Sequence, residues 1–407
     1  MKIVASPAIN TIQKGDMMNM NNLFSFQTSK RIIAGNGSLK QFNEQLPSLG
    51  NVSRALIVTS GTFKENGSLD LFTGQLSEAG VEFESFIDIQ PEPTVEHIED
   101  VFKRMAGKKF DLLIGLGGGS VLDATKLLSV MSTNDIPLKD MVGTDKVKQK
   151  GIPMVLIPTT SGTGSEVTPN AIVTFPEEEL KIGVVSRHLL PDLVILDPTL
   201  TLTLPPRITA ATGMDAFVHS FESFISNKAN PISDMFALES MRLISRSIIK
   251  AYEEGSDLQA RHDMLLGSTY GGMALTAAGT AAVHALAYPL GGKFNIPHGE
   301  ANSMLLPHVT LFNLDHIEER MAIVARELGM VEGDTVPVSE AAQVLINKIQ
   351  EWTERLNIPQ KLEKFGIKEE DVPALATAAS KVTRLLNNNP KKMTIEDMEA
   401  IYRRLLK

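Results

Sequence analysis

Asp215 and His219 stand four residues apart in Thr212-Gly213-Met214-Asp215-Ala216-Phe217-Val218-His219, so on a helix both side chains leave one face, one turn apart. A chelating pair has this spacing, although a solvated ion pair or a hydrogen bond is its commoner use. Two further histidines, His284 and His298, lie in a stretch of apolar and small residues, where a polar imidazole needs a partner. A hydrogen-bonded core histidine would satisfy either one alone. Yet the chain has only 8 histidines in 407 residues, and three of them fall in these two segments with an acid nearby. With no cysteine, thiolate sites, disulfides and a cysteine nucleophile are excluded, so any metal must be held by His, Asp or Glu. One carboxylate and three imidazoles suit a borderline divalent ion such as Fe²⁺ or Zn²⁺ and leave a position for a substrate oxygen, whereas magnesium or calcium would want more oxygens.

A second group of residues could hold a phosphate. An apolar run leads into Gly115-Leu116-Gly117-Gly118-Gly119-Ser120 and then into the apolar-periodic stretch from Val121 to Met131, a strand, loop and helix in succession. Glycines allow the backbone close to a pyrophosphate, and amides at the helix start meet its charge. A plain tight turn would use the same glycines; the helix that follows carries Asp123 and Lys126. The spacing is not G-x-G-x-x-G with an acid ~20 residues on, so the standard Rossmann unit is disfavoured. A second loop, from Pro158 to Glu166, follows the next strand with hydroxyls at Thr159, Thr160, Ser161, Thr163 and Ser165, suited to ribose, phosphate and carboxamide groups.

The elements that must position these residues are of two kinds. From about Leu23 to Pro198, Val-, Ile- and Leu-rich runs alternate with amphipathic stretches, the pattern of a mostly parallel sheet with crossover helices. Strands are expected from Arg54 to Thr59, Phe110 to Gly115, Met154 to Pro158 and Leu193 to Asp197, and a helix from Thr94 to Lys109 with Thr94 as N-cap. After Pro205-Pro206, periods of three and four residues dominate, so the second half reads as helical. The expected division is an N-terminal extension over 1–22, an α/β dinucleotide-binding domain over 23–200 and an all-α metal-binding domain over 201–407.

Composition narrows the partners. A net charge of −9 with scattered lysines and arginines offers no footprint for nucleic acid. No apolar run approaches the ~18–20 residues that span a bilayer, nor the ~7–15 of a secretory signal, so no membrane partner and a cytoplasmic location are expected.

Gly117-Gly118-Gly119-Ser120-Val121-Leu122-Asp123-Ala124-Thr125-Lys126, Pro158 through Thr168, Gly213-Met214-Asp215-Ala216 with His219 and Glu222, and His284 through Pro307 occur here in one order. In these segments the chain resembles the iron-containing (group III) alcohol dehydrogenase family, from about residue 23 to the C-terminus. The resemblance implies a dehydroquinate synthase-like architecture and a small alcohol or aldehyde as substrate. It also implies Asp215, His219, His284 and His298 as ligands of Fe²⁺ or Zn²⁺. It further implies that Gly118, Gly119 and Ser120 hold the pyrophosphate of NAD(H) or NADP(H), with Asp123 beside them. Thr159, Thr160 and Thr163 would lie along the nicotinamide end, with Lys181 on the ribose. Family members are commonly dimers, with the first strand, here from about Phe24 to Ile33, at the subunit contact, so a homodimer is expected.

Two departures bear on chemistry. Tyr288 stands where the family's alcohol dehydrogenases usually carry a second histidine, four residues after the first; it is the candidate proton relay or a wall of the substrate site. Ser60 stands where many NAD-using members place an Asp that bonds the ribose and repels a 2′-phosphate, so NADP is admissible. The implied chemistry is Lewis-acid activation of an alcohol or carbonyl oxygen with hydride transfer to or from the nicotinamide. Lys293, near Tyr288, gives some support to an anionic substrate. The rival readings are a dehydroquinate synthase-like lyase using metal and NAD, and a non-catalytic assembly protein.

Overall fold

A computed structural model describes residues 23–65, 68–178, 180–333 and 335–406; the N-terminal extension expected over 1–22 lies outside them. The first half builds a six-stranded sheet from β1 (Ile32–Ala34), β2 (Arg54–Val58), β3 (Glu82–Phe86), β4 (Leu112–Gly117), β6 (Met154–Pro158) and β9 (Leu193–Leu196). All its pairings are parallel, in the order β1-β9-β6-β4-β2-β3. Inner strands covered on both faces need apolar residues at every position, which is why Leu56, Ile57, Val155, Leu156 and Val194 are all fully buried.

From β2 the chain goes out to β3 and returns on the other side of β2 as β4. That reversal leaves a crevice at the carboxyl ends of β2 and β4, where ligands of such sheets bind. α1 (Val95–Lys103) leads into β4, and its Thr94 cap accepts the His97 N–H at 3.2 Å as expected, but the helix stops before Lys109 in a turn around Gly107, whose φ is +76°. β4 begins two residues later than expected because Asp111 is used outside the strand, accepting from the Ser53 and Arg54 amides. It also runs two residues further, since Gly117 still pairs with Pro158. The first strand is shorter than expected. The residues before it pack instead on the helical half, through Phe26 against Phe236, and on the loop after β6, through Thr28 Oγ1 donating to Val167 O at 3.1 Å.

A smaller sheet, β5 (Gly143–Thr144), β8 (Leu180–Val185) and β7 (Asn170–Phe175), is not anticipated from sequence. β7 and β8 form an antiparallel hairpin that packs between α2 (Gly119–Met131) and the helical half, where it carries Lys181 toward Gly291.

The second half is helical: α3 (Pro206–Ile225), α4 (Pro231–Glu253), α5 (Leu258–Ala278), α6 (Ala282–Phe294), α7 (His298–Glu327), α8 (Val338–Arg355), α9 (Val372–Ser380), α10 (Thr383–Leu386) and α11 (Ile395–Leu406). α3 is its axis, buried on nearly all sides from Thr209 onward between α4, α5 and α7. No single helix among the described residues is long and apolar enough to cross a membrane. The architecture is an α/β N-terminal domain followed by an all-α C-terminal one.

Candidate metal centre and cofactor cleft

Asp215 and His219 leave α3 on one face, as their spacing requires, and Glu222 follows on that face three residues later. α6 and α7 bring the other two imidazoles: His284 sits in the first turn of α6, and His298 opens α7. One ligand atom from each of Asp215, His219, His284 and His298 lies within 4.8 Å of all the others.

The surroundings aim and neutralise these groups. His219 Nδ1 donates to Gly162 O at 3.2 Å, and His284 Nδ1 donates to Glu222 Oε2 at 2.6 Å, which leaves Nε2 of each ring as the acceptor; that of His284 lies 3.2 Å from Asn302 Nδ2. Glu222 also accepts from the amides of Ala281 and Val283, at 2.9 and 2.6 Å, and so caps α6 while it orients His284. Burial drives the His219 imidazole below its ordinary range and draws His298 down to about 3, against the pull of Asp215. Burial alone would raise Asp215, but the three imidazoles and the Asn302 amide outweigh it and hold the carboxyl below the usual range. Neutral imidazoles around an ionised carboxylate are the state a divalent cation requires. Asn302, one turn along α7, donates through Nδ2 to Asp215 Oδ1 at 2.7 Å, while its buried Oδ1 has no partner. The donor set fits Fe²⁺ or Zn²⁺.

The shift at His298 has a consequence for stability. An unfolded histidine protonates near ~6.5, so below that pH the unfolded chain takes up a proton that folded His298 refuses until about 3. Stability therefore falls as pH falls through this window. The urea midpoint of metal-free protein should be lower at pH 5.5 than at pH 7.5; equal midpoints would contradict the assignment.

On the facing wall, Gly118 caps α2 without a side chain, leaving the first amides of the helix bare. A Cβ on Gly119 would stand 2.6 Å from Thr163 Cγ2, and one on Gly118 would stand 3.2 Å from Thr160 Cγ2, so the glycines are also what lets the two loops touch. The Ser120 hydroxyl accepts from the Glu92 amide at 3.0 Å, and Glu92 pairs with Lys181 at 2.6 Å. Asp123 accepts from Ser165 Oγ and from the Ile172 amide. Lys126 is fully buried, and its ammonium reaches Ser165 Oγ, Thr168 O and Asn170 O at 2.7 to 3.1 Å. Burial lowers it to about 8 although Asp123 lies 3.7 Å away.

Gly119, Ser120, Asp123, Thr163, Lys181, His219, His284, Tyr288 and His298 line one cleft of about 430 Å³, the size of a small-molecule site. Asp215 lies buried behind the histidines. Thr159 is buried with its amide on Gly117 O, and Thr160 packs on Gly118. Ser60 lies off this wall, at the end of β2, bridged to Asp88, whose carboxylate is gripped by both terminal nitrogens of Arg104. Lys293 does not line the cleft; it pairs with Asp371 at 3.2 Å, which removes the support it lent to an anionic substrate. Sequence reasoning passed over the orienting role of Glu222, the contact of Asn302 with the ligands, and the hub at Lys126.

A dinucleotide crevice facing a buried set of imidazoles and a carboxylate defines a metal-dependent dehydrogenase. The family model for Iron-containing alcohol dehydrogenase matches residues 29–198, and that for the C-terminal part of the Fe-containing alcohol dehydrogenase family matches 209–406. The chain belongs to the iron-containing alcohol dehydrogenase family, and it is an oxidoreductase acting on CH–OH groups. It is similar to Long-chain-alcohol dehydrogenase 1 of Geobacillus thermodenitrificans (strain NG80-2), 41% identical over 373 residues that cover 90% of this chain and 93% of the relative. Among solved structures, it resembles 1,3-propanediol oxidoreductase with a TM-score of 0.90 and 34% identity, covering 95% of this chain and 100% of the other. It also resembles sulfoacetaldehyde reductase from Bifidobacterium kashiwanohense in complex with NAD⁺, with a TM-score of 0.85 and 28% identity, covering 94% and 99%.

Proposed function

We propose that this chain moves hydride between NAD(H) and a primary alcohol or its aldehyde, with Asp215, His219, His284 and His298 holding Fe²⁺ or Zn²⁺. The observation that carries the proposal is that this buried donor set and the bare amides of the glycine loop open on one cleft. When bound, the ion supplies Lewis acidity at the substrate oxygen, a contribution of several kcal/mol, and the nicotinamide supplies or takes the hydride. The chain's own part is placement. Gly118, Gly119 and Ser120 hold the pyrophosphate, Thr159, Thr160 and Thr163 set the nicotinamide end, and Lys181, steadied by Glu92, faces the ribose. Ser60 leaves its corner without a carboxylate, and the Asp88 carboxylate of the adjoining bridge is taken by Arg104, so the preference for NAD(H) rests on the NAD⁺ complex of the related sulfoacetaldehyde reductase.

The test is to purify the protein without chelator, quantify bound metal and follow 340 nm absorbance with NADH or NADPH against a panel of aldehydes. About one Fe or Zn per chain with aldehyde-dependent oxidation, faster with NADH, is expected. Bound metal with neither cofactor consumed by any aldehyde would overturn the reading.

Tyr288 lies beside the donor set, its ring 6.1 Å from that of His298. Burial raises its phenol above the ordinary value, against the pull of Arg384, which suits a wall of the substrate site better than a neutral-pH relay. Tyr288→Phe should therefore change KM for the aldehyde by a few-fold and leave the shape of the pH profile of kcat intact. An ionisation lost from that profile would assign the phenol to proton transfer instead.

A further inference from the structure

Three cationic side chains line the cleft, and they are not equivalent. Lys181 is buried and neutralised by Glu92 at 2.6 Å. Lys228 and Arg384 are exposed, and among the described residues neither side chain has an ion pair or a hydrogen bond. That is unexpected in a chain with 48 acidic residues against 39 basic ones, where most of the other cations near a carboxylate have taken it.

Their anchorage is rigid. Lys228 and Arg384 rise from segments braced to each other and to the turn between α5 and α6. The Asn227 amide donates to Asn388 O at 2.8 Å, and Asn227 Nδ2 donates to Asn389 O at 2.7 Å. Asn388 Nδ2 and Ser226 Oγ then donate to Thr280 O and Ala278 O, each at 2.8 Å. The same turn leads directly into His284, and α3 runs from His219 to its end at Ile225, roughly 9 Å, just short of Lys228. Leu275, Ala277 and Ala278 add an apolar wall to the cleft. The braced ledge thus fixes the backbone from which two unneutralised cations reach the cleft that the metal-donor histidines also line, with apolar surface beside them.

We propose that Lys228 and Arg384 form the recognition site for an oxyanion, a carboxylate, sulfonate or phosphate, at the far end of a short aldehyde substrate. The proposal rests on the oxidoreductase reading above. An oxyanion there would meet the planar fork of Arg384 and the point charge of Lys228, bonds about twice as strong as neutral ones. The cofactor's phosphates have their own amides on the facing, α/β wall of the cleft, at Gly118 to Ser120.

The experiment compares 4-oxobutanoate with butanal, aldehydes of equal length, on the metal-loaded protein and on Arg384→Met and Lys228→Met. Wild type should favour the carboxylate-bearing aldehyde in kcat/KM by tenfold or more. Each substitution should cut that preference by about tenfold, through KM of the anionic aldehyde, and Arg384→Lys should restore part of it. Equal use of both aldehydes by wild type, an unchanged preference in the variants, or a loss that falls on KM for NADH would overturn the site. Calorimetry with 4-hydroxybutanoate reads the site without turnover: binding by wild type that Arg384→Met weakens supports it, and no binding overturns it. Failure of the oxidoreductase reading would show separately, as no NADH or NADPH consumed with any aldehyde.

Discussion

Replacing His284 by Ala should yield a folded chain that retains no divalent ion and oxidises NADH against an aldehyde ~10³-fold more slowly or worse, since the Lewis acid it would lose is worth several kcal/mol. The fold should survive because Glu222, the partner of His284, keeps the amides of Ala281 and Val283 as donors and so is not left bare in the core. Glu222→Gln is the milder companion. It leaves every ligand in place but weakens the bond that orients His284, for which ~10–100-fold in metal affinity is expected. Chelator should lower the melting midpoint of wild type, because an ion that binds only the folded chain stabilises it by mass action, and should leave His284→Ala unmoved. Elemental analysis with thermal melts checks all three; a His284→Ala protein carrying a full complement of metal would dismiss the ligand assignment.

The residues that meet around the donor set were unevenly visible in the sequence, for physical reasons. Asp215 and His219 announce themselves because helical spacing is a local property, legible without a fold. That His284 and His298 join them depends on α6 and α7 crossing α3; the scarcity of histidines and their apolar setting hint at it, and the family resemblance names them as ligands. Glu222 leaves a trace in the sequence: a second acid in an apolar helix, one turn beyond His219 on the Asp215 face, has to be paired with something. Lys126 left none, because a lysine on a helix ordinarily reaches solvent, and the oxygens that bury it come from a loop about forty positions away. The β7-β8 hairpin was missed for a different reason. Ile172 and Val173 and then Leu180 and Ile182 look like further strands of the main sheet, and the direction of pairing is decided by the α2 and α6 surfaces they must cover. Gly115 to Gly117 read as a loop because of its glycines, yet it is strand. The Cβ that a side chain at Gly117 would need stands 2.7 Å from Val121, so the glycine serves the packing of α2 onto the strand end rather than a turn.

Glycine also underlies the last prediction, that Gly299→Ala should cost both stability and metal although it touches no ligand. A Cβ at this position would stand 2.3 Å from the carbonyl oxygen of Ala211 and 2.7 Å from its carbonyl carbon. Both are backbone atoms of α3, so the contact cannot be relieved by turning a side chain; the start of α7 has to move off α3. Overpacking of this kind costs ~1–3 kcal/mol. The displacement would act where it does most harm to the site. His298 is the residue before Gly299, and Ala211 lies one turn before Asp215, so the contact sets the spacing between two ligands from different helices. Metal affinity should fall tenfold or more, measured by competition with a chelator of known strength. Gly74→Ala supplies the control. It lies inside the helix Ser68–Glu78 with nothing within 4 Å of the new methyl group, and removing a helical glycine there should stabilise the protein by ~0.5–1 kcal/mol. If Gly299→Ala behaved like Gly74→Ala, the close approach of α3 and α7 would not be what holds His298 against Asp215, and the geometry of the donor set would have to be maintained from the Glu222 and Asn302 side instead.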